Sequence, residues 1–320
     1  MNRLHHIKET LRTNIQNNSD YPDVEFVLVD YNSGDGLEAW VMDNFKSELA
    51  SSTLRFFRTE APTIYRSSHA KNMAHRASTG DIVCNLDADN FTGPGFAYYL
   101  NEHFTSNPAG FLSVDYFDKF GTKSDTIGRI ACFRKDFETV GGYDEKIRGY
   151  GYGDIDLCER LKRLGKKQHF INNEELLRTI DHSTEERLVN SRTSEITRVY
   201  IHYSSPFESI VIFLFKNGRF SSGTLLDLNK GMGNPSIKEG KWIEGSFAWI
   251  ADGKIQFESI TSSFICNVTN GNLVDHQGRL YYSIINVPFL KRLELDYNII
   301  GNHQIMVRNM ESGIIKVNTL

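Results

Sequence analysis

The segment Ile82-Val83-Cys84-Asn85-Leu86-Asp87-Ala88-Asp89-Asn90 is the one on which the architecture turns. A short apolar run reads as a buried strand, and it ends on two carboxylates at i and i+2. Upstream, Leu4, Ile7, Leu11 and Ile15 mark a helical stripe, and Val24-Glu25-Phe26-Val27-Leu28-Val29 follows as a strand. A second stripe runs through Leu37, Trp40, Val41, Phe45 and Leu49, then the strand Leu54-Arg55-Phe56-Phe57, then a helix around Ala70, Met73, Ala74 and Ala77. Helix and strand patterns in alternation predict an α/β layered domain with a mostly parallel sheet, and its ligand site is expected beyond the carboxyl ends of the strands. Asp87 and Asp89 stand at such an end.

After about residue 205 helical periodicity fades. Short β-rich runs, Ser209–Phe215, Ser246–Ile250, Ser263–Val268 and Leu280–Ile285, are separated by Gly and Asn turns with no fixed repeat period. The expected organisation is therefore a front domain over 1–205 and a β-rich accessory domain over 206–320, sandwich or jelly-roll-like by size.

Composition narrows the function. The net charge of -4, from 36 basic and 40 acidic residues without long blocks, leaves no footprint for nucleic acid or an anionic membrane surface. The cysteines at 84, 132, 158 and 266 have neither zinc-site nor disulfide-framework spacing, and Cys84, Cys132 and Cys158 read as small buried hydrophobes. Met1-Asn2-Arg3-Leu4-His5-His6 lacks the apolar stretch of a signal peptide, and no segment approaches the ~20 apolar residues of a membrane span. The expected location is cytoplasmic, or peripheral at the membrane through an acceptor.

Several features surround the acid pair. Carboxylates at i and i+2 can aim oxygens at a hard cation that bridges two phosphates, although in a chain with 40 acids such a pair also arises in solvated turns. Asp30 ends its strand and could accept from a pyrimidine N3–H, or could cap a turn. Lys71 lies near a helix start, within reach of a nucleotide or on a solvated face. Gly141-Gly142-Tyr143-Asp144-Glu145 leads to Gly149-Tyr150-Gly151-Tyr152-Gly153, a loop that lets backbone approach a sugar closely, with Gly153 at the approach. Asp154 and Asp156 then open a helix, where acids suit the macrodipole and where a carboxylate is held firmly for proton abstraction. His182 alone reads as an ordinary histidine, and so do His5 and His6.

The ordered set resembles glycosyltransferase family two and, in its second half, the galactosyltransferases of family seven. It runs Asp87-Ala88-Asp89, then Val140-Gly141-Gly142-Tyr143-Asp144-Glu145, then Gly151-Tyr152-Gly153-Asp154-Ile155-Asp156 before Arg160-Leu161, then Ile180-Asp181-His182-Ser183. The similarity spans roughly residues 1 to 190 and implies a GT-A fold, the Rossmann-like α/β fold of nucleotide-sugar transferases. Carried over by position, it implies that Asp30 contacts the base, that Lys71 lies beside the nucleotide, and that Asp87 faces ribose or donor sugar. It also implies that Asp89 binds a divalent metal, Mn²⁺ or Mg²⁺, with His182 as second ligand. Asp154 takes the place of the catalytic base, and Asp156 that of an acid orienting the acceptor. Thr179 stands where the galactosyltransferases carry a methionine ligand, so the metal shell here is expected to differ.

Family members also have an apolar strand leading into the segment that resembles Met1–His6, and this chain begins where that strand would end. The expected consequences are an unpaired sheet edge and a weakened base pocket. Because the other motifs keep their order, a shortened or misassigned start is the reading preferred over a rearranged sheet or lost activity. The expected function is inverting transfer from a nucleoside-diphosphate sugar, UDP-linked by first choice, to a glycan or glycoconjugate hydroxyl. The rival is a non-catalytic carbohydrate- or nucleotide-binding protein whose tail uses Trp242, Trp249, Tyr281 and Tyr282, although aromatics within strand-like runs are expected in the core. A nucleotidyltransferase would also use paired acids and a metal, but leaves the Gly-Tyr loop before Asp154 unexplained.

Overall fold

A computed structural model describes residues 1–115, 126–147, 152–183, 186, 189–190, 192–205, 208–226 and 243–284. The chain divides into two compact units at about residue 190.

The front unit opens with α1 (Leu4–Gln16), whose stripe of Ile7, Leu11 and Ile15 is buried with Leu37, Val41, Phe45 and Leu54. The strand β1 (Phe26–Tyr31) pairs in parallel with β2 (Leu54–Thr59), the standard outcome when a helical crossover joins two strands. The crossover is two helices, α2 (Leu37–Asn44) and α3 (Lys46–Ala50), where the stripe predicts one. The break is at Phe45, whose backbone leaves the helical region (φ -125°, ψ 32°) while its ring is fully buried, edge-on to Trp40 and beneath the Arg12 guanidinium.

Next come α4 (Ser67–Ala77), β3 (Ile82–Cys84), α5 (Phe96–Ser106), β4 (Gly110–Ser113), β5 (Ala131–Phe133), α6 (Arg134–Thr139), α7 (Gly153–Arg163) and β6 (Lys167–Phe170). The four strands form a second sheet in the order β3-β5-β4-β6. The expectation of a mostly parallel sheet is corrected here, because β5 runs antiparallel to both β3 and β4, and only β4 and β6 are parallel. Among the described residues β1 and β3 each have one partner strand. Helices α5 and α7 cover opposite clusters of this sheet, one holding Phe96, Leu100 and Phe104 with Leu112 and Ala131, the other Leu157 and Leu161 with Phe111 and Cys132.

The rear unit is a closed antiparallel barrel of eight strands, β7 (Ile196–Ser205), β8 (Glu208–Phe215), β9 (Arg219–Leu226), β10 (Ile243–Ile250), β11 (Lys254–Ser259), β12 (Ser263–Thr269), β13 (Asn272–Val274) and β14 (Leu280–Ile284). Consecutive strands are neighbours, and β14 closes the circle on β7 through Tyr282 opposite Ile201 and Ile284 opposite Val199. The expected sandwich or jelly roll is thus corrected to an up-and-down barrel, whose closure removes the exposed edges an open sheet would carry. Its first strand lies ahead of the expected boundary at 205, because Val199, Tyr200 and Ile201 are fully buried strand residues. Tyr200, Ile212, Leu214, Phe220, Ile255, Phe257, Cys266, Leu273 and Tyr281 fill one cluster.

The cysteines expected in the core divide: Cys132 and Cys158 are buried, whereas Cys84 is half-buried at the end of its short strand. Tyr281 is a core residue, but Trp249 and Tyr282 face solvent at 49% and 47% exposure: alternation puts Tyr282 on the face opposite Tyr281, whereas Trp249 shares the parity of buried Gly245, stands opposite buried Ile255 and is exposed beside the end of its strand. Trp242 lies outside the described residues. No helix among the described residues is long and apolar enough to cross a membrane.

Candidate active site

The strand β3 stops at Cys84, and Asn85 to Asn90 turn away from it, so the two acids leave the sheet at its carboxyl edge. Asn85 holds the first: its Nδ2 donates to Asp87 Oδ1 at 3.1 Å and to Gly128 O at 2.9 Å. The second is held by a segment far along the chain. Ile180 N donates to Asp89 O at 2.8 Å, Phe91 N donates to Arg178 O at 2.9 Å, and Asn90 and Thr179 form an isolated antiparallel bridge. That pairing delivers His182, whose Nε2 lies 2.6 Å from Asp89 Oδ2. Burial, and then the neighbouring Asp87 charge, push the Asp89 carboxyl above the usual carboxylate range against the His182 hydrogen bond.

Arg129 underlies this bridge. It is fully buried, donates from Nη2 to Asn90 Oδ1 at 3.1 Å and to Phe91 O at 3.0 Å, and caps Leu176 O from Nη1. Burial holds its guanidinium below the ordinary arginine range. Sequence reasoning did not find Arg129, Asn85 or Gly128. Gly128 alone carried a readable signal, as a small residue in an otherwise bulky run, and the structure explains it. A Cβ there would stand 2.6 Å from Asp87 Oδ2 and 3.1 Å from Lys71 Nζ.

Lys71 projects from α4 into the same place. Its Nζ is 2.7 Å from Asp154 Oδ1 and 3.8 Å from Asp87 Oδ1, and 5.2 Å from the centre of the Tyr143 ring. Burial works against its charge, but Asp154 and Asp87 outweigh it and raise the ammonium pKa well above the ordinary lysine value. Asp154 is in the first turn of α7, entered through Tyr152 in the left-handed region at φ 65°. Gly153 would bring an added Cβ no nearer than 3.4 Å to Ser68 Oγ, an ordinary contact. Gly149, Tyr150 and Gly151 lie outside the described residues.

Two other expected residues occupy different positions. Asp30 is fully buried, its Oδ1 accepting from Ser33 N at 2.9 Å and its Oδ2 ion-paired with Arg58, which is the turn-capping arrangement with a counter-ion. Asp156 is 1% exposed, and its Oδ2 accepts from Arg160 Nε at 2.9 Å and Nη2 at 2.6 Å. Arg160 in turn donates to Val140 O and Gly142 O, so Asp156 braces the Gly-Gly turn from behind, where contact with an acceptor was expected. Asn72 fixes the other side of that turn through Tyr143 N, Tyr143 O and Glu145 Oε1.

Residues 1–153 match the family model described as glycosyl transferase family 2, and residues 114–202 match that described as the N-terminal domain of galactosyltransferase. The family 2 match covers 153 of the 320 residues, and the galactosyltransferase match overlaps its end. The family 2 match falls on the α/β unit, and the barrel follows it in the chain. Among solved structures, the chain is similar to a mannosyltransferase from Pyrobaculum calidifontis in complex with GDP-Man and Mn²⁺, at 24% identity and a TM-score of 0.42, covering 52% of this chain and 51% of that one. It is similar to residues 1–349 of TarS from S. aureus at 12% identity and a TM-score of 0.44, covering 61% of each. It is also similar to GalNAc-T7 in complex with UDP, GalNAc and Mn²⁺ at 11% identity and a TM-score of 0.42, covering 89% of this chain and 78% of that one. The chain thus spans about half the length of the mannosyltransferase that it matches. No curated protein matches.

Proposed function

We propose that the glycosyltransferase domain moves a sugar from a nucleoside-diphosphate donor, a UDP-sugar by first choice, to a hydroxyl of a glycan or glycoconjugate with inversion at the anomeric carbon. The observation that carries this is the convergence of Asp87, Lys71 and Asp154 on one another through contacts of 2.7 and 3.8 Å, beside the Asp89–His182 pair. Four separate segments supply these groups, and no local turn or helix requirement explains why they meet.

Asp89 Oδ2 and His182 Nε2 are adjacent enough that, after slight widening, they would hold one divalent ion together, and a carboxylate beside an imidazole would suit Mn²⁺ better than Mg²⁺, which prefers oxygen ligands. Such an ion, when bound, would neutralise charge that builds on the departing diphosphate. The chain's own groups do the rest. Lys71 exchanges its carboxylate partners for the incoming diphosphate, and this releases Asp154 Oδ1. Asp154 then receives the acceptor's proton as the hydroxyl oxygen bonds to the anomeric carbon and the bond to the diphosphate oxygen breaks. Asp87, held by Asn85, faces the ribose or donor sugar, and Gly153 leaves backbone accessible to it. Base recognition by Asp30 requires Ser33 or Arg58 to share the carboxylate with the base, while Asp156 acts through Arg160 on the loop beneath the acceptor.

Substituting Asp154→Asn tests the assignment. Turnover of a UDP-sugar is expected to fall about 10²- to 10⁴-fold, the usual contribution of a general base, with UDP affinity little changed. Near-normal turnover would remove Asp154 from the role. A second reading, carbohydrate contact by the barrel, is favoured by the solvent-facing rings of Trp249 and Tyr282. Loss of glycan binding in Trp249→Ala with donor turnover intact would establish it.

A further inference from the structure

We propose that His5, His6 and Glu186 form a second divalent-cation site, suited to zinc and distinct from the Asp89–His182 pair. His5 and His6 open α1, and successive helical residues ordinarily point about 100° apart. Here their rings come together at a centroid distance of 4.1 Å. Both present Nε2 to the same carboxylate oxygen, His5 at 2.6 Å and His6 at 3.4 Å from Glu186 Oε1. One ligand atom from each of the three residues lies within 4.8 Å of the others, and among the described residues no other group of three His, Cys, Asp or Glu meets that condition.

The dimensions fit a small tetrahedral ion. Ligand bonds of about 2.0–2.1 Å place neighbouring ligand atoms roughly 3.3–3.4 Å apart. The His6–Glu186 separation already has this value, and the His5 side chain, 58% exposed, is free to open by the remainder. The helix start is fixed in advance, with Asn2 N donating to Ser33 Oγ at 2.9 Å and Leu4 N to Asp35 Oδ2 at 2.8 Å. His6, 4% exposed on its side chain, is the rigid member.

Two imidazoles and one carboxylate favour zinc over magnesium or calcium, which prefer all-oxygen shells. Arg3 is the competitor, since its Nη1 lies 2.8 Å from Glu186 Oε1. Its Nη2 also reaches the Glu186 carbonyl oxygen, so the guanidinium keeps an anchor when the ion takes the carboxylate and then orients that ligand from behind. This competition makes the site one of exchangeable zinc. The His6 ring stands 5.1 Å from the His182 ring, which puts the ion next to the donor site without sharing its ligands.

Zinc titration of the full chain against a chelating dye tests the proposal, and it does not depend on the donor reading. The wild type is expected to bind one equivalent of Zn²⁺ with Mn²⁺ and UDP present. His5→Ala and Glu186→Gln are each expected to weaken it at least tenfold, while Asp89→Asn retains it. Thermal melting of each variant checks the fold, and exposed His5 makes His5→Ala the decisive substitution if Glu186→Gln melts early. Absence of zinc binding in the wild type, loss in Asp89→Asn, or wild-type affinity in His5→Ala would each overturn it.

Discussion

Gly128 shows how a residue with no side chain sets the chemistry around it. The room it leaves allows Asp87 and Lys71 to stand side by side over the backbone, and an added Cβ would collide first with Asp87 Oδ2. That oxygen ends a side chain that is 37% exposed, so it swings away at little cost to the fold. Gly128→Ala is therefore expected to lower turnover about 10- to 10²-fold, as small misplacements at a reacting centre do, while the melting temperature stays within a few degrees. Steady-state kinetics beside a thermal melt check this; a large fall in melting temperature with unchanged kinetics would contradict it. Sequence made Asp87, Asp89 and Asp154 legible because strand ends and helix starts announce themselves locally. It could not show that Lys71 sits between two of them, because that depends on how α4 packs against α7. His182 read locally as an ordinary histidine, and only the resemblance singled it out, since 93 positions separate it from Asp89.

Elements were legible where periodicity is strong, as in α1, α4, β1, β2 and the hairpins of the barrel. Arg129 was not, because nothing in Ile127-Gly128-Arg129-Ile130 distinguishes a surface arginine from one that closes three chain segments. Removing it leaves the Phe91 and Leu176 carbonyls without this donor, at about 1–3 kcal/mol for each buried group. Arg129→Met is expected to melt several degrees lower and to weaken UDP binding through the loosened Asn90–Thr179 bridge. Unchanged melting in the variant would show that the bridge stands without it. Glu25 performs a comparable task at the opposite end of the strands, where its Oε1 accepts from Thr79 N and from Gly80 N, the latter at 3.0 Å. Burial opposes its charge, yet those donors and Arg55 prevail and hold the carboxyl below the usual glutamate value. A depressed folded-state pKa means stability that is present above the unfolded value of ~4.5 and lost as pH falls through the folded one. Glu25→Gln should therefore lower stability at pH 7 and flatten its decline below about pH 4.5, as urea melts across pH would show. An acid-side slope identical to the wild type would rule this out.

The molecule is two units with separate cores, and this separation has a measurable consequence. Gly245 lies within the barrel strand β10, where an added Cβ would fall 1.9 Å from Glu258 O and 2.6 Å from the Phe220 ring. A backbone oxygen cannot step aside as a side chain does, so Gly245→Val is expected to cost at least the ~1–3 kcal/mol typical of overpacking. The barrel should melt earlier, while UDP binding by the front unit is unchanged. Loss of both together would show that the units do not fold independently. Strand positions in the barrel were readable from apolar runs between glycine turns, but closure was not. It rests on β14 meeting β7, some 80 residues apart, and long-range pairing leaves no local trace. Trp249 was not readable either: it has the parity of buried Gly245 and stands opposite buried Ile255, yet it is exposed one residue from the end of β10.

The proposed function depends on Asp87, Asp89 and His182 serving a nucleoside diphosphate. Calorimetric titration of UDP into the full chain, with and without Mn²⁺, and into Asp89→Asn is therefore the measurement to make. Binding that requires the ion in the wild type and disappears in Asp89→Asn is the predicted result. UDP binding that ignores both the ion and the substitution, or no binding under any of these conditions, would contradict the assignment of this site.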